Sequence, residues 1–208
     1  MRHNPDFALD DVDAIREMVR HNPWATIVSF IPGRGLVASH YPMLLDEDAT
    51  GIVLLSHVGR PDERLHELGR HEAMVVVYGP QGYISPGWYE VPTAVPTWNF
   101  EVAHLHGTPE ILSDEKNLEV LDRLVAHFED QLPEPFLMRG TLENAQYAEH
   151  IVRGTVGFRM VVDRFEAKQK MSQNKPPQMV EHIIGELRRP GPFQNPSLAD
   201  HMARIHRT

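Results

Sequence analysis

The stretch from Gly79 to Asn99 reads GPQGYISPGWYEVPTAVPTWN. It holds Trp88 and Trp98, two of the chain's three tryptophans, and Tyr83 and Tyr89, two of its five tyrosines. Pro80, Pro86, Pro92 and Pro96 punctuate it. That much proline argues against a helix, and that many rings argue against a disordered linker. The expectation is a proline-stiffened loop. Its rings and hydroxyls either receive a flat, polar-edged ligand or cover one end of a core. Before it stands Ala73–Tyr78, AMVVVY, an apolar run that predicts a central strand. After it, Thr97–Leu112 alternates as one long strand with Pro109 near an exposed end.

Upstream, residues 10–21 put Val12, Ile15, Met18 and Val19 on one helical face, with Asp10 as a cap and Asn22-Pro23 as the stop. Three short β-type runs follow, Trp24–Phe30, Leu36–Leu45 and Gly51–Val58. Pro32-Gly33, Gly35 and Asp46-Glu47-Asp48 mark the turns between them. Arg60–Arg70 predicts a short helix. Downstream, Ser113–Asp130 predicts an amphipathic helix carrying Leu118, Leu121, Leu124, Val125 and Phe128, and Leu142–Val152 a weaker one. Gly154–Met171 predicts another strand, and Pro176–Leu187 a helix with prolines at its start. Five or six antiparallel-type strands with helices between them predict a mainly β fold, a closed or half-open barrel decorated by helices. The spacing fails the regular alternation of a doubly wound parallel sheet. A single domain over residues 1–187 with a peripheral tail over 188–208 is the expected organisation.

The chain has 208 residues, a net charge of −9 and no cysteine. Disulfides, thiolate nucleophiles and cysteine metal sites are therefore excluded. No stretch approaches the ~20 apolar residues that cross a bilayer, and the start MRHNPDFALDD lacks a secretory pattern. A cytoplasmic protein without a membrane partner is expected. Nucleic-acid binding normally needs a basic face; Arg188, Arg189, Arg204, His206 and Arg207 are the nearest approach to one, and read as a solvated tail.

Ser39-His40 has the residue types of a nucleophile and its base, but neighbours in a strand point to opposite faces. His104-x-His106 places two imidazoles on one strand face without a third ligand at a telling spacing, so no metal is expected. Neither a Gly-rich dinucleotide loop nor a Walker sequence occurs. What remains is a set of polar clusters beside strands: Ser39-His40-Tyr41-Pro42, Ser56-His57, Tyr83-x-Ser85, Pro96-Thr97-Trp98-Asn99 and Lys170-Met171-Ser172-Gln173-Asn174. Their hydroxyls, amides and cation suit a phosphate together with a heterocycle edge. Each taken singly also suits the satisfaction of backbone groups at a strand end.

These clusters resemble, in order, the motifs of the PaiB-type FMN-binding proteins, a branch of the flavin-binding split barrels that includes pyridoxamine phosphate oxidases. Asn22–Thr26 is similar to the family's first strand, and Ala38-Ser39-His40-Tyr41-Pro42 to its ATHLP element. Ser56-His57-Val58 stands for its Gly-His-Met stretch. Tyr83-Ile84-Ser85-Pro86, Trp88-Tyr89 and Val95–Asn99 follow YISPxWY and VPTWN, His104-x-His106-Gly107 follows VHxxG, and Lys170–Asn174 follows KLSQN. The chain departs from the family at Val58–Glu63, where an aromatic and an amide are missing.

The resemblance implies an antiparallel, Greek-key split β-barrel that pairs as a homodimer with FMN in the interface. Ser39, His40, Ser56 and Lys170 are the implied first contacts to flavin or phosphate, with His57 beside them. The loop residues Tyr83, Ser85, Trp88, Thr97, Trp98 and Asn99, with Ser172, Gln173 and Asn174, would close the pocket. The implied role is negative transcriptional regulation; the resemblance leaves direct DNA contact open, and the acidic balance argues against a direct, sequence-specific one. The alternatives are an FMN-dependent oxidoreductase, in which His40, His57 or His104 handles protons, and a haem-binding barrel. The residues name no catalytic group.

Overall fold

The computed structural model describes residues 1–207. In chain order the elements are α1 (Val12–His21), β1 (Trp24–Ile31), β2 (Gly35–Pro42), β3 (Leu44–Leu45), β4 (Val53–Gly59) and α2 (Arg60–Leu65). Then come β5 (Ala73–Ile84), β6 (Thr97–Gly107), β7 (Glu110–Ile111), α3 (Asp114–Glu129) and α4 (Leu142–Ile151). The chain finishes with β8 (Thr155–Val161), β9 (Arg164–Lys170), α5 (Pro177–Arg188) and α6 (Pro196–Ile205). One sheet has the strand order β2-β1-β5-β6-β9 and the other β3-β4-β8-β7. β1 pairs antiparallel with β2 and β5, and β8 with β4 and β7. The architecture is mainly β with added helices, its two sheets bonded separately rather than closed into one cylinder.

The chain divides into two compact units, Met1–Asp11 with Tyr78–Ala103 and Glu166–Thr208, and Val12–Val77 with His104–Phe165. In the first, Ile84, Met171, Ile183, Leu187, Leu198 and Met202 make a dry cluster joined by Tyr89. In the second, Leu44 and Leu55 meet Val120 and Leu124 of α3. Burial of such side chains is the main stabilising term in each unit.

The largest departure from the expected elements lies in the Gly79–Asn99 stretch. β5 does not stop at Tyr78 but runs on to Ile84, whereas β6 opens at Thr97 as expected. The glycines that suggest a loop are there because neighbouring side chains press on the strand. A Cβ at Gly79 would stand 2.6 Å from Glu101 Oε2, and one at Gly82 would stand 2.9 Å from Leu198 Cδ2. The true connection is short, beginning with a 3-10 turn over Pro86–Tyr89 that Ser85 caps by accepting from Gly87 N–H. α6 is the counterpart of that finding. Residues 196–205, expected to be peripheral, bury Leu198, Ala199 and Met202 completely.

Two long predicted strands are each broken in the second unit. Thr97–Leu112 ends as β6 at Gly107, where a Cβ would meet the Val161 carbonyl at 2.2 Å, and Pro109 precedes β7 in the other sheet. Gly154–Met171 becomes β8 and β9 in different sheets. At the break Val162 N–H donates to the Ile52 carbonyl and Asp163 N–H to the His106 carbonyl, both at 3.0 Å. Ser113 caps α3 as its sequence suggests, but the buried face is Asn117, Val120 and Leu124, and Phe128 is exposed. Asn117 faces β8 because Gly157 leaves it room and Thr155 Oγ1 accepts from its amide at 2.9 Å.

Candidate functional site

The sequence-predicted site residues fall into both units. In the second unit, β2 alternates as a strand must: Ser39 is buried and His40 is exposed. Ser39 Oγ lies 3.0 Å from His66 Nε2, and Ser29 Oγ lies 2.9 Å from His66 Nδ1. His66 is buried, and that burial pushes its pKa below the ordinary histidine value although Asp62 pulls it up. A neutral imidazole has one donor and one acceptor nitrogen, so each hydroxyl takes the complementary role. His40 Nδ1 meets Thr26 Oγ1 at 3.0 Å on the other face of β2.

Ser56 is fully buried and donates to the Pro42 carbonyl at 2.6 Å, tying β4 to β2. His57 packs edge-on against Tyr41 with ring centroids 5.9 Å apart. Burial lowers its pKa, and its Nδ1 is a buried polar atom without a hydrogen-bond partner. Tyr41 in turn donates to Asp62 Oδ2 at 2.7 Å and accepts from Gly59 N–H at 3.1 Å. That last pair occupies the point at which the chain departs from the family pattern.

In the first unit two groups form, and strand alternation puts them on opposite faces of β6. Tyr83 and Trp88 pack on Phe193, and Trp98 packs on Tyr83. Tyr83 stands 5.0 Å from Phe193 and 6.4 Å from Trp98, and Trp88 stands 6.4 Å from Phe193. Trp98 and Phe193 remain half open to solvent. Phe193 lies in the segment read as a tail, and nothing in the sequence ties it to this cluster.

On the other face Lys170 Nζ donates to Thr97 Oγ1. Burial, with Lys168 and Lys175 close by, lowers the Lys170 pKa below the ordinary lysine value. Among the described residues no carboxylate lies within ion-pair distance of it. Phe7 lies beneath, its ring centre 6.0 Å from the ammonium. Asn99 is fully buried: it donates to Ser172 Oγ at 2.9 Å, and Ser172 donates back to Oδ1 at 3.2 Å. Ser172 sits in the left-handed region at φ 65°, which non-glycine residues adopt only where the surroundings over-determine it. Gln173 closes the turn on itself, and Asn174 is exposed. Among the described residues no group of three or more His, Asp or Glu side chains is placed to hold a metal ion.

The family described as "Putative FMN-binding domain" matches residues 1–164. The chain belongs to this FMN-binding family. Among curated relatives, "Protease synthase and sporulation protein PAI 2" of Bacillus subtilis is 27% identical over 183 residues, covering 87% of this chain and 86% of the relative. An uncharacterized Saccharomyces cerevisiae protein, YKL070W, is 32% identical over 120 residues, 54% of this chain and 71% of its own length. In fold, the chain is similar to an FAD and heme binding protein from Mycobacterium smegmatis, with a TM-score of 0.57, 16% identity and 84% and 78% of the two chains covered. It is also similar to the hypothetical protein Rv2991 from Mycobacterium tuberculosis, with a TM-score of 0.59 at 11% identity and 85% and 94% coverage. The fold is that of the flavin-binding split barrels. The family match ends at the first residue of β9, so the Lys170–Asn174 turn, α5 and α6 lie outside it.

Proposed function

We propose that this chain binds FMN as a homodimer and that Lys170, with Thr97, holds the phosphate. The observation that carries the reading is the Lys170 ammonium, half-buried beside a hydroxyl and flanked by two further lysines. A cation drawn partly out of water without a counter-charge is a cost that a bound anion removes. FMN supplies that anion, and the family supplies the flavin. The donor set fits: a charged amine and a hydroxyl are what a phosphate monoester accepts from. When bound, the flavin brings reversible electron and hydride chemistry, which no side chain here supplies.

The outward face of the β1–β2 hairpin supports pairing of two copies. Trp24, Phe30 and Leu36 are 64%, 63% and 75% exposed there, and rings left in water on one strand face favour a partner. Phe30 and Leu36 are direct cross-strand neighbours. A negative regulatory role is what the resemblance to the PaiB-type proteins implies. The net charge of −9 argues against a DNA contact driven by phosphate neutralisation.

The test is a visible spectrum and a sedimentation experiment on the purified chain. Twin flavin bands and a two-chain mass are expected. A colourless protein that takes up no added FMN overturns the flavin reading, and a single-chain mass overturns the dimer. Bleaching of the bound flavin by NADH or NADPH would favour an oxidoreductase over a regulator, and an intense Soret band would favour haem.

A further inference from the structure

The turn that carries Lys170 is held by α6, from the far end of the chain. His206 Nε2 lies 2.9 Å from the Met171 carbonyl. A carbonyl only accepts, so Nε2 carries the proton. Asn99, which grips Ser172, also donates to Met202 Sδ of α6 at 3.4 Å.

A second connection runs deeper. Gln169, one residue before Lys170, donates through Nε2 to Glu101 Oε1 at 2.7 Å. The other oxygen of that carboxylate lies 3.3 Å from His201 Nε2 on α6. His201 Nδ1 faces Arg204 Nη2 at 2.9 Å. A guanidinium only donates, so Nδ1 accepts, while Nε2 stands at ion-pair distance from Glu101 without a hydrogen bond to it. Glu101 and His201 are 4% and 9% exposed. The carboxylate occupies the space that Gly79 leaves without a side chain. The Gln169 carbonyl closes the circuit by accepting from Gln173 Nε2 at 2.6 Å, while Gln173 Oε1 accepts from Met171 N–H at 2.6 Å.

The geometry points to α6 as the positioning element of the anion site. Through His206 on the Met171 carbonyl and Met202 on the Asn99 amide that grips Ser172, the helix fixes the turn that follows Lys170, and His201 packs beside the Glu101 carboxylate that holds Gln169. The ammonium is thereby aimed at Thr97 and at the phosphate it shares. His206 and His201 act through the Met171 carbonyl and Glu101, so they are positioning residues. The inference rests on the reading that Lys170 holds the phosphate of FMN.

His206 is the informative probe because it sits exposed at the end of α6, where its loss costs the core nothing. The experiment measures FMN and riboflavin affinities of the full chain by flavin fluorescence, alongside the thermal midpoint. Riboflavin lacks the phosphate, so the FMN-to-riboflavin affinity ratio isolates the anion site from general damage. His206→Ala is expected to lower that ratio roughly 3- to 10-fold, the equivalent of one neutral hydrogen bond, with the midpoint nearly unmoved. His206→Gln keeps an amide donor for the Met171 carbonyl and is expected to restore most of the ratio. Lys170→Met, measured in parallel, is expected to abolish the preference for FMN. If Lys170→Met lowers the ratio and His206→Ala does not, α6 is packing and this inference is overturned. It is also overturned if His206→Gln fails to rescue. If Lys170→Met leaves the ratio unchanged, the phosphate reading itself fails, and this inference with it.

Discussion

His66 and Lys170 are both titratable groups drawn out of water, one in each unit, and their surroundings treat them in opposite ways. His66 has each ring nitrogen answered by a serine hydroxyl, and its depressed pKa keeps it neutral. Nothing in that arrangement asks for a ligand. Lys170 keeps a charge that nothing within ion-pair distance compensates among the described residues, and its neighbours of the same sign make matters worse. The difference teaches how to sort residues that look alike in a sequence. A buried polar network that closes on itself is structure, and one left a charge short is a candidate site.

The comparison breaks first, if it breaks, at His66. His66→Ala removes a buried ring and strands the Ser29 and Ser39 hydroxyls, so urea denaturation should show a loss of about 2–4 kcal/mol. FMN affinity should change less than about threefold, well under the value of one charge-assisted bond. A large loss of FMN binding in a folded His66→Ala protein would move this network into the site.

Lys170→Met should show the converse. Losing a charge-assisted bond to phosphate weakens FMN binding by about 1.5–3 kcal/mol, roughly 10- to 100-fold. Stability without ligand should hold or rise, because an uncompensated cation has been removed. In the parent protein FMN affinity should fall as pH rises through the depressed Lys170 pKa, earlier than for an ordinary lysine. An alkaline profile unchanged by Lys170→Met would assign that titration elsewhere.

Ser39→Ala sharpens the contrast at smaller scale. With its hydroxyl committed to His66, the substitution should cost about 1 kcal/mol of stability and leave FMN binding intact. A tenfold loss of affinity would restore Ser39 as a direct contact.

The smallest effect is a pH dependence of stability. His66 and His57 both have folded pKa values below the ordinary histidine value. Below about pH 6.5 the unfolded chain therefore binds more protons than the folded one. Their contribution is complete above that pH and is lost as pH falls toward the folded values. Chemical denaturation between neutral and mildly acid pH should show the decline, and His66→Gln should flatten part of it.

Much of the fold was legible because it rests on local chemistry. Asn22-Pro23 ends α1, Gly33 and Gly35 adopt positive φ between β1 and β2, and Ser113 caps α3. None of these needs a distant partner. The misreadings share one cause. Gly79 and Gly82 suggest a loop until Glu101 and Leu198 are seen against them, 22 and 116 residues further along the chain. α6 suggests a tail until its apolar face is seen closing on Ile84 and Met171. The amphipathic face of α3 was set by where Gly157 leaves room for Asn117, and not by its leucines alone.

The site divides in the same way. The ordered motifs from Asn22–Thr26 to Lys170–Asn174 are enough to indicate an FMN-binding family, because a long run of residue types in order is written into the chain. His66, Phe193, Glu101 and His201 carry no such signature. Whether a serine faces a ligand or a histidine, and whether a lysine has a counter-charge, depends on which side chains meet. Those meetings join residues dozens to a hundred positions apart, so only the folded chain decides them.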